Sequence, residues 1–422
     1  MKYAILTFGC RVNQADSFEF HAGLRTRGAV EVPANTADLV IVNTCSVTGA
    51  ADQGARRAIR RLSRDNPSAQ IVVTGCYATR KPDDLDHLPN VRMIVPNRLK
   101  ADLPRVLDEQ FAGTPRHGFG QGDDACGLGV APGAMGRTAY PLRVQTGCDQ
   151  SCAFCIVPST RGRSCSRPVD VIRDEVRRVA AAGYKEIWLV GVHLGSFGRD
   201  MNPTTSLVQL LRGLDAQPGD VTYRLGSLEP MDCPPELIDL MAHSDRFAPH
   251  FHLPLQHASN RVLQAMRRPY TFEGYRDLID RIHAMLPHAS IGSDLVVGFP
   301  GESDQDAETM ATAVERMPFG YLHVFPYSDR PGTEAAAMSP KVDAALASAR
   351  ARRLRDAARK LTDRFVASQV GSVRPGLTLD DGTVVLTDNF LKIRIPPGLP
   401  RNTRVHVRID SPALDGTVQP TS

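Results

Sequence analysis

Short apolar, β-branched runs alternate with segments whose apolar residues recur every three or four positions. KYAILTF, DLVIVNT and QIVVTG read as strands, and SFEFHAGLRTRG and DQGARRAIRRLSRDN as amphipathic helices. That alternation predicts a parallel αβ sheet over residues 1–113. Residues 114–137 are Gly-rich and without periodicity, which marks a linker. A second series over 138–370 offers six strands, YPLRVQT, EIWLVG, VTYRLG, HFHLPLQ, SIGSDLVVG and YLHVFPY, with helical stretches between them and a long basic helix at its end. Six βα units fit a partial (βα)6 barrel, whose chemistry sits on the loops after its strands. Residues 371–422 turn to short alternating runs punctuated by DDG and PPG, as in a small antiparallel β module.

Composition leaves this picture intact and narrows the setting. A chain of 422 residues suggests about three domains. With 42% hydrophobic and 23% charged residues and a net charge of +4, it reads as a globular protein that permits an acidic partner without demanding one. No apolar run has the length of a membrane helix, and the N-terminal apolar stretch is too short for a signal peptide, so the expected location is cytoplasmic. Nine cysteines in non-repeating contexts argue against a secreted disulfide framework.

The cysteines carry the chemistry. Cys10, Cys45 and Cys76 each follow a strand of the first series, so a parallel sheet would bring them together beyond its carboxyl edge. Each also fits a small buried apolar residue. Cys148, Cys152 and Cys155 form a C-x3-C-x2-C run after the first strand of the second series. Structural zinc closes four ligands, usually from separated C-x2-C pairs, and no second pair is present; zinc with an unrecognised fourth ligand stays open. A four-iron cluster held by three thiolates leaves one iron free to bind something else.

With Phe154 preceding Cys155, that run resembles the radical S-adenosylmethionine superfamily. TFGCRVNQADS, VNTCSVT, TGCYA, GCDQSCAFCIVPSTRGRSCSRP, HLPLQHASNRVLQAMRR, SDLVVGFPGES and HVFPYSDRPGTEAAAM, in this order, resemble the methylthiotransferases across nearly the whole chain. The resemblance implies a cluster domain, a radical domain and a C-terminal TRAM-like β module. It implies that Cys10, Cys45 and Cys76 hold an auxiliary 4Fe–4S cluster and Cys148, Cys152 and Cys155 the radical 4Fe–4S cluster, with S-adenosylmethionine as cosubstrate. Such enzymes replace a hydrogen on an unactivated carbon, which acid–base chemistry cannot do and a carbon radical can. A low-potential flavodoxin- or ferredoxin-type electron donor and a sulfur donor of unknown identity follow.

Other residues are less constrained. Gln256, at the end of HFHLPLQ, is either a contact to the cofactor ribose or a satisfied strand-end group. His257 stands where the family motif is small, either bonding substrate or facing solvent, the latter being the expectation. Cys126, in the linker without partners at any ligand spacing, is taken as incidental, and Cys165 and Cys233 have no counterpart in the family pattern and are expected to be spectators. Lys392, Arg394, Arg401, Arg404 and Arg408 lie on alternating β segments and are expected to share a face that meets RNA phosphates. FGCRVNQ and HVFPYSDRPGTEAAAM look most like the group that acts on N6-threonylcarbamoyladenosine beside the tRNA anticodon. The isopentenyladenosine group is the alternative, and a ribosomal-protein aspartate a more distant one. A zinc-containing RNA-binding protein and a two-cluster electron-transfer protein are the non-family readings.

Overall fold

The computed structural model describes residues 1–110 and 130–420. Five strands, β1 (Lys2–Thr7), β2 (Val30–Glu31), β3 (Leu39–Thr44), β4 (Gln70–Gly75) and β5 (Val91–Val95), form one parallel sheet in the order β2-β1-β3-β4-β5. β3 takes the centre because LVIVNT is buried at every position, as a strand covered on both faces must be. Val40, Ile41 and Val42 have no exposed surface, worth about 1.5–3 kcal/mol each. Ala55, Ile59 and Leu62 cover one face, Phe20, Leu24 and Leu107 the other. The first helix, Arg11–Arg25, starts six residues before the periodic segment from Ser17, because its first turns bury the polar Asn13 and Asp16, which hide the apolar rhythm.

The second series supplies β6 (Tyr140–Arg143), a short antiparallel pair β7 (Gln145–Thr146) and β8 (Cys165–Ser166), then β9 (Glu186–Val190), β10 (Thr222–Leu225), β11 (His250–His252), β12 (Ser290–Val297) and β13 (Tyr321–Pro326). β10-β9-β6 and β11-β12-β13 are two parallel sheets, joined by bridges from Tyr223 to Phe247 and from Ser227 to His252. Six strands thus make the expected partial barrel. HFHLPLQ is strand only over its first three residues: Pro254 has no N–H to give the ladder, and Gln256 rejoins β12 at a positive φ of 67°. The long helix Ala344–Gln369 packs along the outside. Its arginines are largely occupied by neighbours, Arg350 by Glu302 and Asp304, Arg355 by the Val324 carbonyl and Arg364 by that of Met317.

The last five strands, β14 (Val373–Leu379), β15 (Val384–Thr387), β16 (Lys392–Arg394), β17 (Arg404–Ile409) and β18 (Gly416–Gln419), form an antiparallel sheet in the order β16-β15-β14-β17-β18. Its register places Lys392, Arg394, Arg404 and Arg408 on one face. Arg404 departs from the expected phosphate role. It binds Thr222 and the Lys185 and Asp220 carbonyls and pairs with Asp220, so it fastens the module to the barrel. Arg401 lies outside the strands and donates to the Asp380 carbonyl. Lys392, Arg394 and Arg408 are exposed, Arg394 paired with Asp415 and Arg408 with Asp410. Most of the expected linker, and Cys126 within it, lies outside the described residues.

Arg224 makes the module part of the barrel's wall. It is fully buried, meets both oxygens of Glu186 at 3.2 Å, and donates to the carbonyls of Asp388 (2.7 Å) and Thr387 (3.1 Å). Removing one side of a buried pair strands the other charge. Arg224→Ala is therefore expected to cost about 3–5 kcal/mol, read as a lower denaturant midpoint at unchanged slope; a shift within about 0.5 kcal/mol would contradict the pairing.

Candidate active site

The carboxyl ends of β1, β3 and β4, neighbours in the sheet, carry Cys10, Cys45 and Cys76. Two glycines let the chain turn there. Gly9 has a φ of +90°, and a Cβ on it would stand 2.6 Å from the Cys45 sulfur; Gly75 has a φ of +100°, and its Cβ would meet the Thr44 carbonyl at 2.2 Å. Cys10 then occupies the N-cap of the helix Arg11–Arg25, and Cys76 opens the helix Cys76–Arg80. Cys45 and Cys76 are buried and Cys10 is exposed, and all eight described cysteines are free thiols.

Behind this trio lies a buried polar network. Asp16, 1% exposed, accepts from Lys100 (2.6 Å) and Arg161 (3.1 Å) on one oxygen and pairs with Arg143 (3.1 Å) through the other. Asn13 donates to the carbonyls of Phe8 and Thr44, Asn43 donates to the Asn13 carbonyl, and Lys100 donates to Asn43. Three cations around one carboxylate leave positive charge facing the thiols. Burial would push the Cys76 thiol up, but Arg161, Lys100 and an Asn97 N–H hold it below its ordinary value. Cys45, with burial dominant, is pushed up to about 11. Binding of a metal would supply the charge that deprotonates it.

The second trio sits on the loop between β7 and β8. Backbone N–H groups of Gln150 and Val157 point at the sulfurs of Cys148 and Cys155, each at 3.4 Å. Arg268 donates to the Cys152 sulfur at 3.0 Å while paired with Glu229. His193, bonded to Asp232, lies 3.8 Å from the Cys148 sulfur. Burial, with the neighbouring thiols and Glu229 adding to it, pushes the Cys155 thiol up to about 12 against the opposing Val157 N–H. Thiols ringed by N–H donors and cations are suited to anionic, cluster-bound thiolates. The two trios abut: Asn97 donates to the Thr160 carbonyl at 2.9 Å, and Arg161, at the end of the helix Val157–Arg161, crosses to Asn13 and Asp16.

The barrel's inner wall runs from there. The Arg11 guanidinium lies 3.4 Å above the Trp188 ring centroid, and Phe390 of the β module packs edge-on to Trp188. Tyr321 bonds His250 (2.8 Å) and His252 (3.1 Å) through its hydroxyl. Asp294 lies 3.2 Å from His252 and 3.0 Å from His323, and these contacts hold its carboxyl far below the usual range although burial alone would raise it. Phe154 packs against Val262, Met266 and Phe299. Gln256 is fixed by its backbone, which bonds Asp294 and Val296 at 2.8 Å.

His257 corrects the expectation that it faces solvent. It is fully buried, its Nδ1 accepts from the Ser259 N–H at 2.9 Å, and its neutral ring must therefore carry the proton on Nε2, 3.8 Å from Glu302. Burial lowers its pKa to about 4. Cys233 is a buried core residue and Cys165 is exposed. Asn13, Asp16, Asn43, Lys100, Arg161, His193, Glu229 and Arg268 were not singled out from sequence. The available signal was polar residues inside apolar segments, as in VNQAD and DLVIVNT.

Comparison with known proteins agrees with this geometry. Residues 2–96 match the model of the Uncharacterized protein family UPF0004, and residues 142–314 match the Radical SAM superfamily. The Threonylcarbamoyladenosine tRNA methylthiotransferase MtaB of Aquifex aeolicus is 34% identical over 93% of this chain and 96% of its own. A tRNA-2-methylthio-N(6)-dimethylallyladenosine synthase of Wolinella succinogenes is 33% identical over 88% of this chain and 87% of its own. Among solved structures, the radical S-adenosylmethionine methyltransferase TsrM of Kitasatospora setae shares the fold, with a TM-score of 0.55 at 16% identity, over 79% of this chain and 73% of its own. The chain belongs to the radical S-adenosylmethionine tRNA methylthiotransferase family.

Proposed function

We propose that this enzyme methylthiolates carbon 2 of N6-threonylcarbamoyladenosine beside the tRNA anticodon, using two 4Fe–4S sites, one on Cys10, Cys45 and Cys76 and the other on Cys148, Cys152 and Cys155. The observation that carries the two-site reading is the abutment of two free-thiol trios, each served by N–H donors or cations and neither offering a fourth cysteine among the described residues. When bound, the clusters and S-adenosylmethionine supply the methylthio group and the one-electron chemistry that removes hydrogen from an unactivated carbon.

The chain's own residues do the rest. Arg161 and Lys100 offset the negative charge of the first thiolate set, and Arg268 and His193 that of the second. Phe154, which precedes Cys155, and Gln256 would line the S-adenosylmethionine pocket. The wall from Trp188 to His323 is aromatic and polar, suited to a flipped base. Exposed Lys392, Arg394 and Arg408 would meet RNA phosphates. A flavodoxin- or ferredoxin-type protein would deliver the low-potential electron, about −700 mV at the lower end of the cluster range. The threonylcarbamoyl substrate is favoured over isopentenyladenosine by FGCRVNQ and HVFPYSDRPGTEAAAM and by relatives of that name in Aquifex aeolicus and Bacillus subtilis.

Anaerobically reconstituted protein should hold about eight irons. Replacing Cys10, Cys45 and Cys76 together by Ala should leave about four irons and preserve cleavage of S-adenosylmethionine to 5′-deoxyadenosine; loss of all iron would contradict two independent sites. In cells lacking the protein, mass spectrometry of tRNA nucleosides should find 2-methylthio-threonylcarbamoyladenosine absent and 2-methylthio-isopentenyladenosine retained. The reverse pattern would assign the isopentenyl substrate.

A further inference from the structure

Arg11 is a cation without a counter-ion. Its guanidinium stacks on Trp188 at 3.4 Å, with Phe390 5.9 Å away. It has no hydrogen bond or ion pair among the described residues. The nearby carboxylate of Glu186 is held on both oxygens by Arg224, so it does not serve Arg11. A partly buried guanidinium costs desolvation that only an anion or a set of acceptors offsets. Stacking commits the face of the group to the indole and leaves its in-plane N–H donors, the fork that fits a carboxylate, pointing past the ring edge.

The position fixes which anion fits. Arg11 follows Cys10 in the chain and its guanidinium lies over Trp188 of β9, so whatever it binds lies at the wall that Trp188 forms. A flipped base would come to a wall of this kind to be modified, whereas the exposed arginines of the β module are paired with its own carboxylates, Arg394 with Asp415 and Arg408 with Asp410. The wall stays open toward His323, whose side chain is 56% exposed. An isopentenyl group is apolar and offers Arg11 nothing, while a threonylcarbamoyl group ends in a carboxylate.

We infer that Arg11, backed by Trp188, is the receptor for the substrate's carboxylate and so selects threonylcarbamoyladenosine over apolar N6-modified adenosines. This rests on the substrate reading above. Trp188 and Phe390 hold the guanidinium plane in place, and the carboxylate closes the fork with two parallel N–H···O bonds. The base is thereby anchored by the end remote from carbon 2.

The test alters the ligand as well as the protein. Anticodon stem–loops bearing threonylcarbamoyladenosine, or its threonine methyl ester, are bound to the reconstituted holoenzyme and to Arg11→Gln and Arg11→Lys. Wild type should prefer the acid over the ester by about tenfold or more, as expected for a charge-assisted bond. The ratio should fall to about one in Arg11→Gln and recover partly in Arg11→Lys, which keeps the charge and loses the fork. Equal binding of acid and ester by wild type, as a phosphate-binding Arg11 would give, overturns the assignment, and so does an unchanged ratio in Arg11→Gln. If wild type binds the acid-bearing RNA but never methylthiolates it in turnover, the substrate reading fails, and the role of Arg11 in selection fails with it.

Discussion

One buried carboxylate organises the molecule. Asp16 gathers Lys100, Arg143 and Arg161 from three separate segments, one of them the helix that follows the second cysteine trio. A carboxylate so enclosed survives ionised only because the cations outweigh the burial, which alone would raise its pKa. Removing it would leave Lys100 and Arg161 buried without a carboxylate, Arg143 keeping Glu19, a larger loss than that of a single surface pair. The orientation of the two trios follows, because Arg161 can reach Asn13 and Asp16 only when the helix Val157–Arg161 lies against the end of the first sheet.

That constraint ties architecture to chemistry. The first sheet does not hang from the barrel as a separate carrier. Its helix Arg11–Arg25 packs Val12 and Ala15 on Trp188 and Val190, filling the side that six strands leave open. The β module closes another part of the wall through Phe390 and through the carbonyls that Arg224 requires. Three structural units therefore meet around Trp188, the first helix through Arg11, Val12 and Ala15, the barrel through β9 and the β module through Phe390. Among the described residues no helix is long and apolar enough to cross a membrane.

Much of this was legible in the sequence, for reasons that differ by residue. The strands and the two trios could be read because β-branched runs and cysteine spacing are local signals. The convergence of Cys10, Cys45 and Cys76 followed from parallel-sheet topology alone. Asp16 and Lys100 could not be paired, since 84 residues separate them and both look like ordinary surface charges in a helix and a turn. Arg404 looked like a phosphate contact because alternation shows that residues share a face, not what covers it. His257 looked exposed because a loop histidine usually is; Glu302, which lies beside its ring, comes from a later segment of the chain. Arg11 was legible only as one letter of FGCRVNQ. Its lack of a hydrogen-bonding partner among the described residues is a property of the assembled fold.

The most direct measurement is anomalous X-ray scattering at the iron edge from crystals of anaerobically reconstituted protein. Two iron centres should appear, one against Cys10, Cys45 and Cys76 and one against Cys148, Cys152 and Cys155. A single centre, or iron bound away from either trio, would contradict the two-site arrangement.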